Sequence, residues 1–180
     1  MNAARGGLAL CAFCLLLLAA APGPARAGSF VGDWARSPSQ READGAALEA
    51  EIERATASIS VWTRGLARAF MRRHVAPTER YRISEAEGAL WIHDLDTDTR
   101  WRVDGAPEPR ESGAVTSRLE APGRIRQEWS HGDSHGVTVW TLAPSGDALA
   151  IAITVHHVRL PEPLHYRTHY ERVAPRQAPR

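Results

Sequence analysis

Apolar positions recur along the chain in two rhythms. In the first, Leu48, Ile52, Ala55, Ile59, Trp62, Leu66, Ala69 and Phe70 follow one another at mostly alternating spacings of four and three. That period gathers them on one face of an α-helix. It predicts one long amphipathic helix within residues 37–77. Ser37-Pro38-Ser39-Gln40 resembles a capping box with Pro at the first helical position, Asp44-Gly45 offers a second start, and Pro77 ends the helix. Glu49, Glu51 and Glu53 fall towards its N-terminal half and Arg64, Arg68, Arg72 and Arg73 towards its C-terminal half, which suits the helix dipole.

From residue 79 the texture becomes short runs of Val, Ile, Thr, Trp and Tyr broken by turn residues. Eight strands are expected, at 80–85, 89–95, 99–104, 114–120, 124–130, 136–142, 148–158 and 164–172. Most connections between them are too short for anything but antiparallel neighbours. The expected fold is therefore mainly β: an eight-stranded antiparallel up-and-down barrel, closed because closure removes exposed edges. The N-terminal amphipathic helix would pack on or across one opening. A membrane-spanning barrel fits poorly, because most strands are shorter than the 9 to 11 or so residues required and carry polar side chains on both faces.

Ahead of these elements lies a leader. Arg5, the apolar run Leu8 to Ala21, and Ala25-Arg26-Ala27 before Gly28 form the pattern of a secretory signal peptide. The apolar run is shorter than the roughly 18 to 20 residues of a spanning helix, so no transmembrane span is expected after cleavage. No lipobox residue precedes Cys11 or Cys14, and no Arg pair precedes the apolar run, so the signal reads as Sec-type and unlipidated. Expected localisation is therefore export, to a bacterial periplasm or as a secreted protein. The division is 1–27 signal peptide, 28–173 a single domain (28–77 and 79–173), and 174–180 a flexible tail.

Removal of 27 residues from 180 leaves 153, enough for one domain with a core. Both cysteines leave with the leader, which excludes thiolate nucleophiles, disulfides and Cys metal sites. Arg5 and Arg26 also leave, so 20 basic residues face 21 acidic ones, and nucleic acid is not an expected partner. Every basic side chain other than the eight His is Arg. Biased codon usage accounts for that, so no Arg marks a site by its identity alone.

Phe30-Val31-Gly32-Asp33-Trp34 matches the Gly-x-Trp that opens lipocalin and calycin barrels, and Arg172 stands where the last strand of that family supplies an Arg over the Trp. With the ending Arg159-Leu160-Pro161-Glu162-Pro163-Leu164-His165-Tyr166, the chain resembles exported lipocalin-like (calycin-type) bacterial proteins, a group that brings no established activity. The resemblance implies Gly32, Trp34 and Arg172 as a structural signature, held by the cation over the aromatic face. A helix of some 35 residues between Gly-x-Trp and the next strand departs from true lipocalins.

Candidate chemistry is sparse. Gly132-Asp133-Ser134-His135-Gly136 matches a nucleophile elbow formally, but Val137-Thr138-Val139-Trp140 reads as a strand where that motif needs a helix. His131, Asp133 and His135 are ligand types for zinc, copper or nickel without a clear fourth. His165 and His169 are four strand residues apart, about 13 Å, too far for one metal. Adjacent His156 and His157 face opposite sides. Eight His make the charge respond to pH near 6.

The six Trp are a high count for a chain of this size. Trp91 and Trp101 fall on neighbouring strands and Trp129 and Trp140 flank one hairpin, so cross-strand contacts are expected. Core filling is the default for all of them, since eight strands enclose just enough room for their own side chains. The alternative places Trp91, Trp129, Tyr166 and Tyr170 around an apolar cavity, with Arg82 or Arg126 orienting an anionic head group. No catalytic set converges, and no cofactor is expected. The leading expectation is thus a non-enzymatic exported barrel binding a small hydrophobic or amphipathic ligand. An envelope interaction module with a filled barrel is the alternative, touching protein or membrane through Arg64, Arg68 and Arg72. A metal-binding or hydrolytic protein using the 131–135 loop is third.

Overall fold

The computed structural model describes residues 29–174, so the expected signal peptide and most of the expected tail lie outside the described residues. All eight expected strands are present: β2 (Arg80–Ala86), β3 (Ala89–Asp94), β4 (Thr99–Val103), β6 (Gly113–Ala121), β7 (Arg124–His131), β8 (Ser134–Leu142), β9 (Ala148–His157) and β10 (Leu164–Val173). Two more join them, β1 (Gly32–Arg36) and β5 (Pro107–Arg110), correcting the count to ten. β1 is the Gly-x-Trp segment itself, paired on one side with β2 and on the other with β10. β5 lies in the stretch read as a loop between the third and fourth expected strands and pairs with the first half of β6. The order is β4-β3-β2-β1-β10-β9-β8-β7-β6-β5, and a parallel pairing of Val103 with Ser117 joins β4 to β6. That contact closes the sheet into a barrel and makes it mixed where an all-antiparallel one was expected.

The single helix is also corrected, to α1 (Arg41–Ala55) and α2 (Val61–His74). The break falls in Thr56-Ala57-Ser58-Ile59-Ser60, where hydroxyl and β-branched residues lower helix propensity. Thr56 Oγ1 folds back onto the carbonyl of Ile52 at 2.7 Å, and Ile59 N–H donates to the carbonyl of Thr56 at 3.1 Å. Ser60 is extended before the second helix starts.

α1 has a definite task. β1 has five residues and β10 has ten, so the edge of β10 over residues 164–169 lacks a strand partner on that side. Exposed backbone donors of that kind must be paired or covered. The buried Asp44 carboxylate accepts the backbone N–H of His169 at 2.8 Å and holds the His169 ring at Nδ1, also at 2.8 Å, while Glu51 accepts the N–H of His165 at 3.4 Å. Leu48, Ile52 and Ala55 meanwhile pack with Met71, Val75, Val155 and Leu164 in a cluster between helices and barrel.

A second cluster fills the opposite end. Trp34, Tyr81, Ile92, Trp140, Ile151 and Tyr170 are all buried there, with the Tyr81 ring edge-on to Trp140 at 4.7 Å. The Trp34 and Arg172 pairing implied by the sequence is present, with the guanidinium carbon 4.4 Å from the ring centroid. Arg172 also donates to the carbonyls of Ser29, Val31 and Gly146. Gly32 has φ of +151°, and a Cβ there would sit on that guanidinium, which explains the glycine of Gly-x-Trp.

Candidate functional site

Register organises the barrel wall into inward-facing rungs. Nearest the helices run Val115, Trp129, Gly136, Val155 and Leu164; next come Ser117, Gln127, Thr138, Ile153 and Tyr166; then Ile125, Trp140, Ile151 and Thr168. The middle rung is unusual for a core. Ser117, Gln127 and Thr138 lie side by side on three neighbouring strands, buried, with Gln127 Nε2 donating to Ser117 Oγ at 3.0 Å. Beside them, buried Trp140 Nε1 and Thr168 Oγ1 find no hydrogen-bond partner among the described residues. Buried polar atoms are ordinarily satisfied, so these two of the three orphans among the described residues, on a single rung with Ile151 of β9 between them, mark a place where something polar belongs; the third is Arg36 Nε.

Around this polar belt, Leu90, Trp101, Trp129, Ile153 and Tyr166 pack on the two apolar clusters yet keep part of their surface accessible. Tyr166 shows what that combination means. Burial lifts its phenol well above the usual tyrosine range, so the hydroxyl is deep, while the ring retains accessible area. The wall is also thinnest here, since β4 and β6 share only the Val103 and Ser117 pairing, supported by Gly105 N–H to the carbonyl of Ser117 at 2.8 Å. Gly136 lets the Trp129 indole lie flat against the wall, where any Cβ would strike both the ring and the carbonyl of Thr154.

The six ligand-binding candidates divide between the two faces. Trp129, Tyr166 and Tyr170 point inward; Trp91, Arg82 and Arg126 point outward. Trp91 lies under Arg102 at 6.0 Å, Arg82 pairs with Asp33 at 2.7 Å, and Arg126 pairs with Glu128 at 2.8 Å. The reason is strand alternation: Ile83, Ile92 and Ile125 take the adjoining inward positions. Trp91 and Trp101 accordingly stand on opposite faces of neighbouring strands rather than in contact. Tyr170 belongs to the filled end, donating to the carbonyl of Thr78 at 2.8 Å, and burial pushes its pKa up to about 12. Arg126 and Trp129 do share a shallow, open groove of about 450 Å³ over β6 to β8, whose charge is spent on the pairing with Glu128.

Other candidates are dispersed. His131 meets Ser112 Oγ at 3.0 Å, His135 stacks flat on His156 with centroids 4.8 Å apart, and the Asp133 carbonyl accepts the Val158 N–H. Among the described residues no three His, Cys, Asp or Glu side chains converge on a metal position. β8 starts at Ser134, so a strand follows the Gly-x-Ser-x-Gly loop. His165 and His169 bond separately to Thr154 and Asp44.

No protein-family model and no curated protein matches the chain. Solved structures do. A Schistosoma mansoni fatty acid binding protein in complex with arachidonic acid is 12% identical with a TM-score of 0.47, covering 81% of this chain and 96% of its own. An abundant heat soluble (SAHS) protein of Ramazzottius varieornatus is 10% identical at 0.46, covering 80% and 95%, and the fluorescent protein UnaG 11% identical at 0.43, covering 80% and 97%.

Sequence reasoning missed Ser117, Gln127, Thr138 and Thr168. The alternation that assigns them inward was legible, but polar residues at inward positions of a half-polar strand look like solvent-facing ones. It also missed Arg36, buried beside Tyr170: Nη1 pairs with Glu79 at 3.3 Å, while Nε finds no hydrogen-bond partner among the described residues. No helix of the described residues is long and apolar enough to cross a membrane.

Proposed function

We propose that this is an exported, non-enzymatic barrel that binds one small amphipathic molecule between its two apolar clusters. The polar end of the ligand bonds to Trp140 Nε1, Thr168 Oγ1 and Gln127, and its apolar part lies against Leu90, Trp101, Ile153 and Tyr166. The observation that carries this reading is the pair of unpartnered buried polar atoms beside inward aromatic rings that keep free surface. Leaving such atoms unpaired costs about 1 to 3 kcal/mol each, which a ligand hydrogen bond recovers.

The side chains of the belt, Ser117, Gln127, Thr138 and Thr168, are uncharged, and Tyr166 is a neutral phenol at pH 7. The buried cation of the inner wall, Arg36, already carries Glu79 as its counter-ion, so an anionic head at the belt would add an uncompensated buried charge, at a cost of several kcal/mol. The ligand class is therefore neutral-headed: an alcohol, amide or ester on a hydrocarbon or ring body. Titration of intrinsic Trp fluorescence with a long-chain alcohol, its monoglyceride and the fatty acid of equal length tests this. Saturable change with the neutral pair, weakened about tenfold or more by Gln127→Leu, is expected from losing one buried hydrogen bond. A flat response to all three overturns the reading.

A further inference from the structure

α2 is mounted back to front. Arg64, Arg68, Met71 and Arg72 form the face that meets α1: Arg64 donates to the carbonyls of Ala57 at 2.7 Å and Ile59 at 2.9 Å, Arg68 pairs with Glu53 and reaches Thr56 Oγ1 at 3.1 Å, and Arg72 pairs with Glu49 at 2.7 Å. The basic stripe expected to contact a membrane or an envelope partner is thus occupied within the molecule. Trp62, Leu66 and Phe70, spaced i, i+4 and i+8, take the opposite face. They are 94%, 77% and 50% exposed. The Phe70 ring leans towards His157 at 6.1 Å, and the neighbouring Val158 is exposed as well.

The charge around this patch is mostly basic, with the exposed Asp133, whose carbonyl accepts the Val158 N–H, as an acidic neighbour. α2 contains no acidic residue, and the patch is bordered by exposed Arg73 and Arg159 together with His74 and His157. Neither Arg73 nor Arg159 makes an ion pair among the described residues. The apolar side chains offer a few hundred Å², short of the roughly 800 Å² per partner that a stable protein pair buries. A short helix with an aromatic and aliphatic face and a cationic border has the composition that lies in a lipid interface, Trp at headgroup depth and Arg on phosphate.

We propose that the outer face of α2 docks the protein onto an anionic lipid surface. Trp62, Leu66, Phe70 and Val158 enter the interface while Arg73 and Arg159 engage the phosphates. The contact is peripheral and reversible, and independent of whether the barrel holds a ligand.

The test is flotation of the purified protein with vesicles of equal parts phosphatidylcholine and phosphatidylglycerol, against vesicles of phosphatidylcholine alone. Binding to the anionic vesicles is expected, reduced at least about tenfold by the double variant Trp62→Ser/Leu66→Ser and weakened by Arg73→Glu and by added salt. Both serine positions are exposed, so an unchanged melting temperature separates lost docking from lost folding. No flotation, or flotation indifferent to the double variant, overturns the proposal. A dimer in solution that the same variant converts to monomer, without vesicle binding, assigns the stripe to a second copy and overturns it equally.

Discussion

The chain has three tyrosines, Tyr81, Tyr166 and Tyr170, and burial raises the pKa of each. A free phenol ionises near about pH 10, whereas Tyr170 holds its proton up to about 12. Between those values the folded chain binds more protons than the unfolded one, so stability is level below about pH 10 and declines as pH rises towards 12. Absorbance of phenolate should therefore appear together with loss of the near-ultraviolet dichroism of the core, instead of as free titration near pH 10. Phenolate formed while that signal persists would show the rings to be more accessible than their packing against Trp140 and Ile153 implies. At this scale sequence reading was strong for Trp34 and Arg172, whose pairing depends on identity and order. It was weak for Arg82, Arg126 and Trp91, whose roles depend on which side of a strand each one takes.

Among elements, α1 is less a lid than an edge strip. Its carboxylates stand in for the strand that β1 is too short to supply, and its apolar face closes one end of the barrel. Asp44→Ala removes the acceptor for the His169 N–H and its ring together, leaving a backbone donor unpaired beside the sheet. A loss of about 2 to 3 kcal/mol is expected, read from denaturant unfolding. Asp44→Asn, which keeps one acceptor, should lose about half as much. Equal stability of wild type and the Ala variant would mean that water satisfies this edge. The helical period gave the existence of this element, but not its break. Leu48 and Ile52 face in while Trp62 and Leu66 face out, because a tight turn at Thr56 to Ser60 resets the phase of what had read as one continuous stripe.

For the whole molecule, the polar belt between two apolar clusters sets stability against binding. Thr168→Val keeps side-chain shape and deletes a hydroxyl that has no partner among the described residues. The ligand-free protein should gain up to about 1 kcal/mol, while affinity for a neutral amphiphile falls. Destabilisation by the same change, measured by thermal unfolding without ligand, would make the hydroxyl a structural group. What the sequence determined alone was whatever local period and covalent chemistry dictate: eight strands and their short turns, helical residues ahead of them, a thiol-free core, and the Gly-x-Trp opening with its distant Arg. Only the tertiary structure decided the fifth and first strands, the closure through Val103 and Ser117, the outward stripe on α2 and the inward rung of Ser117, Gln127 and Thr138. Those depend on register between distant strands and on the phase of a helix after a turn. Both are set by the packing of the whole core, since a shift of one residue exchanges the two faces of a strand at no local cost.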